Sequence, residues 1–328
     1  MSRARPFRFD RREGVFHLLD QRLLPMQERW IQARSAADAA DAIRTMVVRG
    51  APAIGVTAAY GMVLAQLSGE DLPAADHGLR GSRPTAVNLS HALDAMRPHW
   101  GDERAMLRAA EEVWTEVELT ERAIGLHGAA VLRGQVLTHC NTGPLATGGY
   151  GTALGAIVEA FRQGRVRHVW VDETRPYMQG TRLTTWELSR FGVPFTLITD
   201  STAAWMMSQG QVDAVILGAD RMAMNGDFAN KIGSYGLAVL ARYHGISFYT
   251  ALPTSTVDPQ LRTGADIPIE QRDGDELRCV GPHRLASADV PVANPAFDVT
   301  PHHLITGVVT ERGVLYPPFD EALRGALD

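Results

Sequence analysis

From about residue 130 onward, short apolar runs typical of buried β-strands alternate with segments whose apolar residues recur at helical spacing. The apolar runs lie at residues 135–138, 168–171, 195–199, 214–217 and 247–250, and helical patterns lie between them at 152–161, 183–191, 203–209 and 235–243. Alternation at this spacing is typical of a parallel sheet with helices on both faces. The sequence therefore predicts an α/β fold with a Rossmann-like, parallel-sheet C-terminal domain over residues 126–328.

Residues 1–125 have a different pattern, which predicts a smaller and mostly helical N-terminal domain. A short strand-like opening at 7–19 precedes four helical patterns, at 38–48, 53–67, 88–96 and 103–126. The intervening residues 68–83 contain Gly, Pro and Asp, and we interpret them as a loop. The segment after residue 251 is again richer in Pro, Asp and Gly, and we expect it to wrap around the sheet.

Composition excludes several classes of protein. A net charge of −5 gives no broad basic field, so we expect no nucleic-acid partner, although a phosphorylated small molecule would need only a few local cations. The two distant cysteines, Cys140 and Cys279, do not make a disulfide framework and are typical of a reducing compartment. The N-terminus lacks a secretory core, and no apolar run approaches the length of a membrane span. We therefore expect a cytoplasmic protein without membrane association.

The segment THCNTGPLATGGYGTALG, residues 138–155, has the order strand, glycine loop and helix. This order directs backbone N–H groups and the positive end of a helix toward an anion. Cys140 follows the strand directly, at the edge where parallel sheets bind ligands, and a nearby helix N-terminus lowers the pKa of a thiol. Whether Cys140 is a packing residue or a chemical group stays open from these residues alone.

Polar residues end each of the following strands. They are Asp172-Glu173-Thr174, Asp200-Ser201-Thr202 and Gly218-Ala219-Asp220. Because the carboxyl ends of parallel strands meet at one edge, these positions converge there with His139-Cys140-Asn141. We interpret Asp200-Ser201-Thr202 as a helix N-cap. Cys140 and Asp220 suit capping less well, and they are the stronger functional candidates.

The glycine loop also approximates a dinucleotide fingerprint, with Asp172 at a suitable distance to bind a ribose. Its spacing is GxGxxxG rather than GxGxxG, so an NAD-dependent oxidoreductase stays only as an alternative. Metal ligation is not predicted, because His302-His303 and the two cysteines lack a ligand spacing. We interpret the two histidines as surface or packing residues.

Three cations lie where helices begin or strands end. Arg49 precedes a helix that has Pro52 in its first turn, which resembles an anion site, and Arg83 repeats this arrangement before the next helix. Asn230 and Lys231 are predicted to begin the helix after the strand of Asp220. Each cation could equally be an ordinary solvated side chain.

Long segments in the same order resemble the methylthioribose-1-phosphate isomerase family, which shares a superfamily with regulatory subunits of a translation-initiation exchange factor. The segments are residues 18–25, 49–61, 83–89, 138–155, 172–188, 218–241, 253–258 and 294–301. They extend over nearly the whole chain.

The resemblance implies an aldose–ketose isomerase that converts 5-methylthioribose 1-phosphate to 5-methylthioribulose 1-phosphate in methionine salvage. It implies Cys140 as the catalytic thiol and Asp220 as the general acid. Substrate contacts are implied at Arg49, Gly50, Ala51, Arg83, Gln179, Asn230 and Lys231. It further implies a homodimer whose small N-terminal domain carries a short antiparallel sheet. No cofactor or metal is expected.

Besides the oxidoreductase, two other functions remain open. One is the same chemistry on 5-deoxyribose 1-phosphate or ribose 1,5-bisphosphate, and the other is a non-catalytic regulatory subunit of the same fold. Within the isomerase reaction, hydrogen could move from C2 to C1 either as a proton through a base or as a hydride.

Overall fold

The computed structural model describes residues 5–83 and 87–327, and within these ranges the chain has an α/β fold. It divides into two compact units. An N-terminal unit comprises Met1–Arg122 and Thr142–Gly151, and a C-terminal unit comprises Ala123–Asn141 and Thr152–Asp328. Pro84 and Thr85, which form part of the predicted second helix start, lie outside the described residues.

The N-terminal unit combines one small sheet with helices. Its described antiparallel strands are β1 (Phe7–Asp10), β2 (Val15–Leu19) and β3 (Trp30–Ala33), in that order across the sheet. Its helices are α1 (Ala36–Arg44), α2 (Ala51–Ser68), α3 (Leu72–Ser82), α4 (Val87–Met96), the first two thirds of α5 (Glu103–Val131), and α6 (Pro144–Thr147).

Helix α2 forms the centre of this unit. A Cβ on Gly55 would lie 2.9 Å from the carbonyl oxygen of Asn88, so glycine here allows α4 to approach closely. Among the described residues α2 alone is long and apolar enough to cross a membrane, which contradicts our expectation that no apolar run approaches that length. However, 72% of α2 is buried inside the protein, as in a core helix of a globular fold.

The loop predicted at residues 68–83 is wrong, because α3 occupies most of it. Asp71 caps this helix, its side chain accepting a hydrogen bond of 2.8 Å from the backbone N–H of Ala74. Pro73 lies in the first turn, where proline is well tolerated. Asp and Pro, which are also typical of loops, here mark the start of a helix.

The C-terminal unit contains a seven-stranded sheet within the described residues. Its strands are β4 (Gly134–Thr138), β5 (Val166–Asp172), β6 (Phe195–Ile198), β7 (Ala214–Leu217), β10 (Ser247–Ala251), β15 (Gly307–Thr310) and β16 (Gly313–Leu315). The spatial order is β16-β15-β10-β7-β4-β5-β6, and every pairing except β15 with β16 is parallel. The five predicted strands correspond to β4, β5, β6, β7 and β10.

Smaller elements complete this unit. Further strands are β8 (Arg221–Ala223), β9 (Phe228–Lys231), β11 (Val257–Asp258), β12 (Cys279–Val280), β13 (His283–Arg284) and β14 (Phe297–Thr300). Its helices, besides the end of α5, are α7 (Ala153–Arg162), α8 (Thr185–Phe191), α9 (Thr202–Ser208), α10 (Ser234–His244), α11 (Asp275–Arg278) and α12 (Phe319–Leu327). Asn230 and Lys231 lie at the end of β9, so the prediction that they begin a helix is wrong; α10 begins three residues later.

The strand order reverses between β4 and β7. The chain proceeds from β4 outward through β5 to β6, and then returns to place β7 on the other side of β4. In open α/β sheets, ligands bind outside the carboxyl ends of the strands at such a reversal. The fold therefore marks the ends of β4 and β7 as the expected position of a site.

Gly128 on α5 allows a close approach to α7, since a Cβ there would lie 2.5 Å from the Cβ of Ala156. We expect Gly128→Ala to force the helices apart and to destabilise the protein by about 1–3 kcal/mol. The control is Gly78→Ala on α3, where a Cβ meets nothing within 4 Å. That variant should be more stable by about 0.5–1 kcal/mol. Urea unfolding midpoints measure both, and equal midpoints would contradict the close approach.

Candidate active site at the strand ends

Cys140 and Asp220 follow β4 and β7, the two strands between which the order reverses. These strands are hydrogen-bonded neighbours, with Val136 opposite Ala214 and Leu137 opposite Val215. The Thr138 hydroxyl donates to the carbonyl oxygen of Ile216 at 2.8 Å, which extends the connection toward the strand ends. Cys140 and Asp220, the two functional candidates from the sequence, thus lie at the same edge of the sheet.

Hydroxyl groups fix the backbone of Cys140 from two directions. Its N–H donates to the Thr174 hydroxyl at 2.8 Å, and its carbonyl accepts from the Thr184 hydroxyl at 2.6 Å. The residue has φ of 62°, in the left-handed region that costs a non-glycine residue energy. Its thiol is reduced and half-buried. A strained backbone held in place at a strand end is typical of functional sites.

Asp220 lies at the surface, in contrast to Cys140. Its N–H donates to the carbonyl oxygen of Ala229 at 2.9 Å, which holds the turn between β7 and β8. The side chain is exposed. The chain by itself therefore does not bury the carboxyl group that the resemblance implies as the general acid.

His139 is buried directly beneath this edge and contacts oxygen atoms on both sides of its ring. Nδ1 lies 3.0 Å from Asp172 Oδ2, and Nε2 lies 2.9 Å from the carbonyl oxygen of Ile232. Burial by itself lowers the pKa of His139, but the hydrogen bond and charge of Asp172 outweigh it and raise the pKa. Sequence reasoning identified His139 only as a neighbour of Cys140, because its partners are 33 and 93 residues away.

Asp172 pairs with this histidine. Burial raises its pKa to about 6, although His139 acts in the opposite direction. Its side chain is 1% exposed and engaged by the protein itself, which argues against a role in binding the ribose of a dinucleotide.

The prediction that Asp200-Ser201-Thr202 is a helix N-cap is confirmed in position, because Ser201 is the N-cap residue of α9. In the described part of the chain Ser201 makes no side-chain capping bond to α9. The Asp200 carboxylate instead accepts the N–H groups of Thr174 and Arg175, each at 2.8 Å. It therefore holds the loop that follows β5, and with it the hydroxyl that fixes Cys140.

Gln179 ends that loop with a buried amide. The residue is 5% exposed, and its Oε1 has no hydrogen-bond partner among the described residues. The next residue must be glycine, because a Cβ on Gly180 would lie 1.7 Å from the carbonyl oxygen of Asp172. A buried acceptor without a partner is costly unless a ligand satisfies it. Gln179 is therefore well suited to accept a hydrogen bond from a substrate hydroxyl.

Asn230 and Lys231 are held at the end of β9. The Asn230 amide is buried and donates to the Ser234 hydroxyl at 2.8 Å. Lys231 Nζ donates to the carbonyl oxygen of Ala296 at 3.1 Å and lies 4.8 Å from the centre of the Phe297 ring. Lys231 is thus a positioned cation rather than a freely solvated one.

In the N-terminal unit, Arg49, Gly50 and Ala51 form the start of α2 as predicted. Gly50 is the N-cap residue with φ of 93°, and a Cβ there would lie 2.1 Å from the carbonyl oxygen of Ala146. Only glycine allows this approach, which brings the start of α2 against α6. Arg49 is 7% exposed, and Arg83 is half-buried directly after α3.

The glycine loop already holds a side-chain carboxyl group of the protein itself. Oε2 of Glu121, on α5, accepts hydrogen bonds from the N–H groups of Tyr150 and Gly151 and, at 2.9 Å, from the Thr147 hydroxyl. The oxygen that the N–H groups of Tyr150 and Gly151 face is therefore that of Glu121, whereas the sequence pattern predicts a bound anion. Glu121 lies in α5 among other charged residues, and no sequence signal indicates that this one is buried.

Two groups among the described residues have ligand-type atoms close enough to hold a metal ion: Asp10, Glu13 and His17, and His139, Asp172 and Asp200. In the second group both ring nitrogens and both Asp200 oxygens face hydrogen-bond partners of the protein. Elsewhere His302 Nδ1 lies 2.8 Å from Asp227 Oδ1, an interaction that accounts for this histidine without a metal.

Burial raises the pKa of Glu121 to about 7, from an ordinary value of 4.5. The stability contributed by the protonated carboxyl is complete below pH 4.5 and is lost as the pH rises through about 7. Glu121→Gln keeps an oxygen for the three donors but does not titrate. We expect the unfolding free energy of wild type to fall relative to this variant by on the order of 3 kcal/mol across that range.

Urea unfolding at several pH values between 4.5 and slightly above 7 measures the difference in unfolding free energy between wild type and Glu121→Gln. The matched control is Glu112→Gln, an exposed carboxyl on the same helix. That variant should follow wild type at every pH. The same pH dependence in Glu121→Gln and wild type would contradict a titrating Glu121.

Known proteins resemble the chain over its whole length. The Initiation factor 2 subunit family matches residues 47–317. The methylthioribose-1-phosphate isomerase of Thermus thermophilus is 66% identical over 327 residues, covering 100% of this chain and 99% of that protein.

Solved structures agree in fold. The 5-methylthioribose 1-phosphate isomerase of Pyrococcus horikoshii superimposes with a TM-score of 0.92 at 42% identity, covering 98% of this chain and 95% of the other. A chain from A. fulgidus described as translation initiation factor eIF-2B, subunit delta, gives 0.87 at 40% identity, covering 98% and 99%.

Proposed function

Because the chain belongs to the Initiation factor 2 subunit family and, within it, to the methylthioribose-1-phosphate isomerases, we propose that it interconverts 5-methylthio-α-D-ribose 1-phosphate and 5-methylthio-D-ribulose 1-phosphate. This aldose–ketose isomerisation is a step of methionine salvage. The observation that carries the proposal within the structure is the position of Cys140 and Asp220 at the strand-order reversal. A thiol and a carboxyl at that edge are what the reaction requires.

The substrate explains why both groups are needed. Phosphate on the anomeric oxygen prevents the simple ring opening used by free sugars, so the C1–O bond of the ring breaks only when the ring oxygen receives a proton. We propose that Asp220 donates this proton. Hydrogen then moves from C2 to C1, and the hydroxyl on C2 becomes the ketone by losing its proton, which the Asp220 carboxylate takes back. The acid is thereby regenerated.

Asp220 must be protonated when it acts, although it is exposed in the chain by itself. A bound sugar phosphate would exclude water from this carboxyl and place a second negative charge near it. Both effects favour the neutral acid. In this proposal the substrate itself prepares Asp220, so that the acid forms only in the complex.

Cys140 is proposed to act on the hydrogen of C2. It either removes a proton from C2 as a base, or it stabilises the charge that develops while a hydride migrates. The fixed backbone of Cys140 supports either role, because a reacting group must be held in position.

The remaining residues are proposed to bind the substrate. Arg49, Arg83 and Lys231, with the N–H groups of Gly50 and Ala51 at the start of α2, would bind the phosphate. The side chains of Gln179 and Asn230 would bind sugar hydroxyls.

We further propose a boundary near residue 125 between a mostly helical N-terminal domain and a Rossmann-like C-terminal domain, and a homodimer in the cytoplasm. The parallel sheet of β4, β5, β6, β7, β10 and β15 supports the Rossmann-like description. Size-exclusion chromatography with light scattering tests the homodimer, which a monomeric mass would contradict.

A regulatory subunit is the second candidate, because the A. fulgidus chain described as a subunit of eIF-2B is also 40% identical. The presence of Cys140, Asp220 and Lys231 favours an enzyme. An assay of the purified protein against 5-methylthioribose 1-phosphate, 5-deoxyribose 1-phosphate and ribose 1,5-bisphosphate separates the candidates. We expect the highest kcat/KM with the first, and turnover of none would contradict an isomerase.

We expect Cys140→Ser and Asp220→Asn each to reduce kcat by about 10²–10⁴-fold, because each removes a group that transfers or stabilises charge in the transition state. Substrate binding and unfolding temperature should change little. Controls are Cys279→Ser and Asp289→Asn, the latter at an exposed position. Near wild-type kcat in either active-site variant would show that the role assigned to that residue is wrong.

The two routes for hydrogen differ in D₂O. Proton transfer through a base that exchanges with solvent places deuterium at C1 of the ketose, which NMR of the product detects. Hydride migration leaves C1 without deuterium. We expect little incorporation, which fits hydride migration or a base shielded from solvent, whereas substantial deuterium at C1 would show a base that exchanges with solvent.

A further inference from the structure

His139 is a buried polar group that the proposed reaction does not use. It is 1% exposed, and its ring nitrogens face Asp172 Oδ2 at 3.0 Å and the carbonyl oxygen of Ile232 at 2.9 Å. A neutral imidazole has one N–H donor and one acceptor nitrogen, whereas the imidazolium has two donors. Two oxygen acceptors therefore require a doubly protonated ring when Asp172 is ionised.

The surroundings favour that charge. Asp172 Oδ1 has no hydrogen-bond partner among the described residues, so His139 is the group that compensates this buried carboxylate. Asp200 Oδ1, after β6, lies 4.0 Å from the same ring nitrogen. Burial raises the pKa of Asp298, on β14, and the charge of the nearby His139 ring partly opposes this shift.

The ring connects two chain segments that both carry proposed site residues. Its own backbone leads directly to Cys140 at the end of β4. The carbonyl of Ile232 belongs to the turn after β9, one residue beyond Lys231. The ring packs closely there, since a Cβ on Gly233 would lie 3.0 Å from His139 Cε1.

Asp298 fixes the same turn from its other side. Its carboxylate accepts the N–H groups of Gly233 at 2.8 Å and Tyr235 at 3.0 Å. The turn that follows Lys231 is therefore held between His139 and Asp298, and a shift of the His139 ring would move it relative to β4.

We propose that His139 is a positioning residue: as a buried imidazolium it joins the strand end that carries Cys140 to the turn that follows Asn230 and Lys231, and so keeps the thiol and these substrate-binding groups in register. Both ring nitrogens are engaged by the protein, so His139 does not exchange a proton with substrate. The inference rests on the proposed function for its kinetic consequences, but its structural part does not depend on the identity of the substrate.

The variant Asp172→Asn tests whether the hydrogen bonds of the His139 ring or its positive charge are required. The side-chain amide that this substitution introduces can donate to Nδ1 of a neutral ring, while Nε2–H still donates to Ile232, so both connections persist without either charge. His139→Ala removes both connections. If positioning is the function, Asp172→Asn keeps kcat/KM within about tenfold of wild type, whereas His139→Ala lowers it at least ~10²-fold, with a higher KM and a lower kcat together.

The matched control is His168→Ala, which removes a less buried histidine of β5 that bonds only the Thr196 hydroxyl among its described contacts. Its kinetics should equal those of wild type. Equal losses in His139→Ala and Asp172→Asn would overturn positioning in favour of a requirement for charge. A lower unfolding temperature with unchanged kcat and KM in His139→Ala would show a purely structural role and would also overturn it.

Two measurements need no substrate and separate this inference from a failure of the proposed function. The first is ¹⁵N-histidine NMR of wild type and His139→Ala at pH 7. The signals that are present in wild type and absent from the variant belong to His139, and we expect them to show a ring with both nitrogens protonated. A single protonated nitrogen would overturn the imidazolium.

The second measurement is alkylation of Cys140 by iodoacetamide in a Cys279→Ser background. We expect His139→Ala to alkylate at least tenfold faster than the parent, because the backbone of Cys140 is released, and Asp172→Asn to stay within threefold. An unchanged rate in His139→Ala would overturn the connection between the ring and the thiol, whatever substrate the enzyme uses.

Discussion

The parallel pairing of β4 with β7 is the constraint on which the candidate site depends. Because the chain reverses its strand order between these two neighbours, the residues that follow them lie at the same edge of the sheet, where open α/β sheets bind ligands. Cys140 and Asp220 are far apart in the sequence, yet each is simply the continuation of a strand. The sheet fixes where the two groups emerge, and the surrounding loops only have to fix how each is oriented.

Loops around the strand ends are held mainly by carboxylates of the chain itself. Asp200 accepts two backbone N–H groups after β5, Asp298 accepts two after β9, and Glu121 accepts two in the glycine loop. Backbone N–H groups in such loops are natural anion sites, and internal carboxylates satisfy them without a ligand. The glycine-rich loop around Tyr150 consequently wraps around the Glu121 carboxyl group, which accepts hydrogen bonds from two of its backbone N–H groups.

Sequence patterns predicted the parts of the molecule that depend on local periodicity. Five sheet strands, the start of α2 at Gly50 and the alignment of Cys140 with Asp220 followed from apolar runs and strand ends. The hairpin of β15 and β16 was missed, because its short strands lie in a segment rich in turn-forming residues. The partners of His139, Asp200 and Glu121 could not be predicted, since each contact joins segments at least 25 residues apart that only the folded chain brings together.

The left-handed backbone of Cys140 has a consequence for how the protein tolerates change. A non-glycine residue at φ of 62° costs roughly 1–2 kcal/mol relative to glycine. Glycine at position 140 would therefore make the folded protein more stable than the cysteine that is present. Glycine there would relax the loop and remove the thiol in one step. Selection for stability alone would therefore drive this position toward glycine, and a library screened only by thermal tolerance would accumulate variants that lack this thiol.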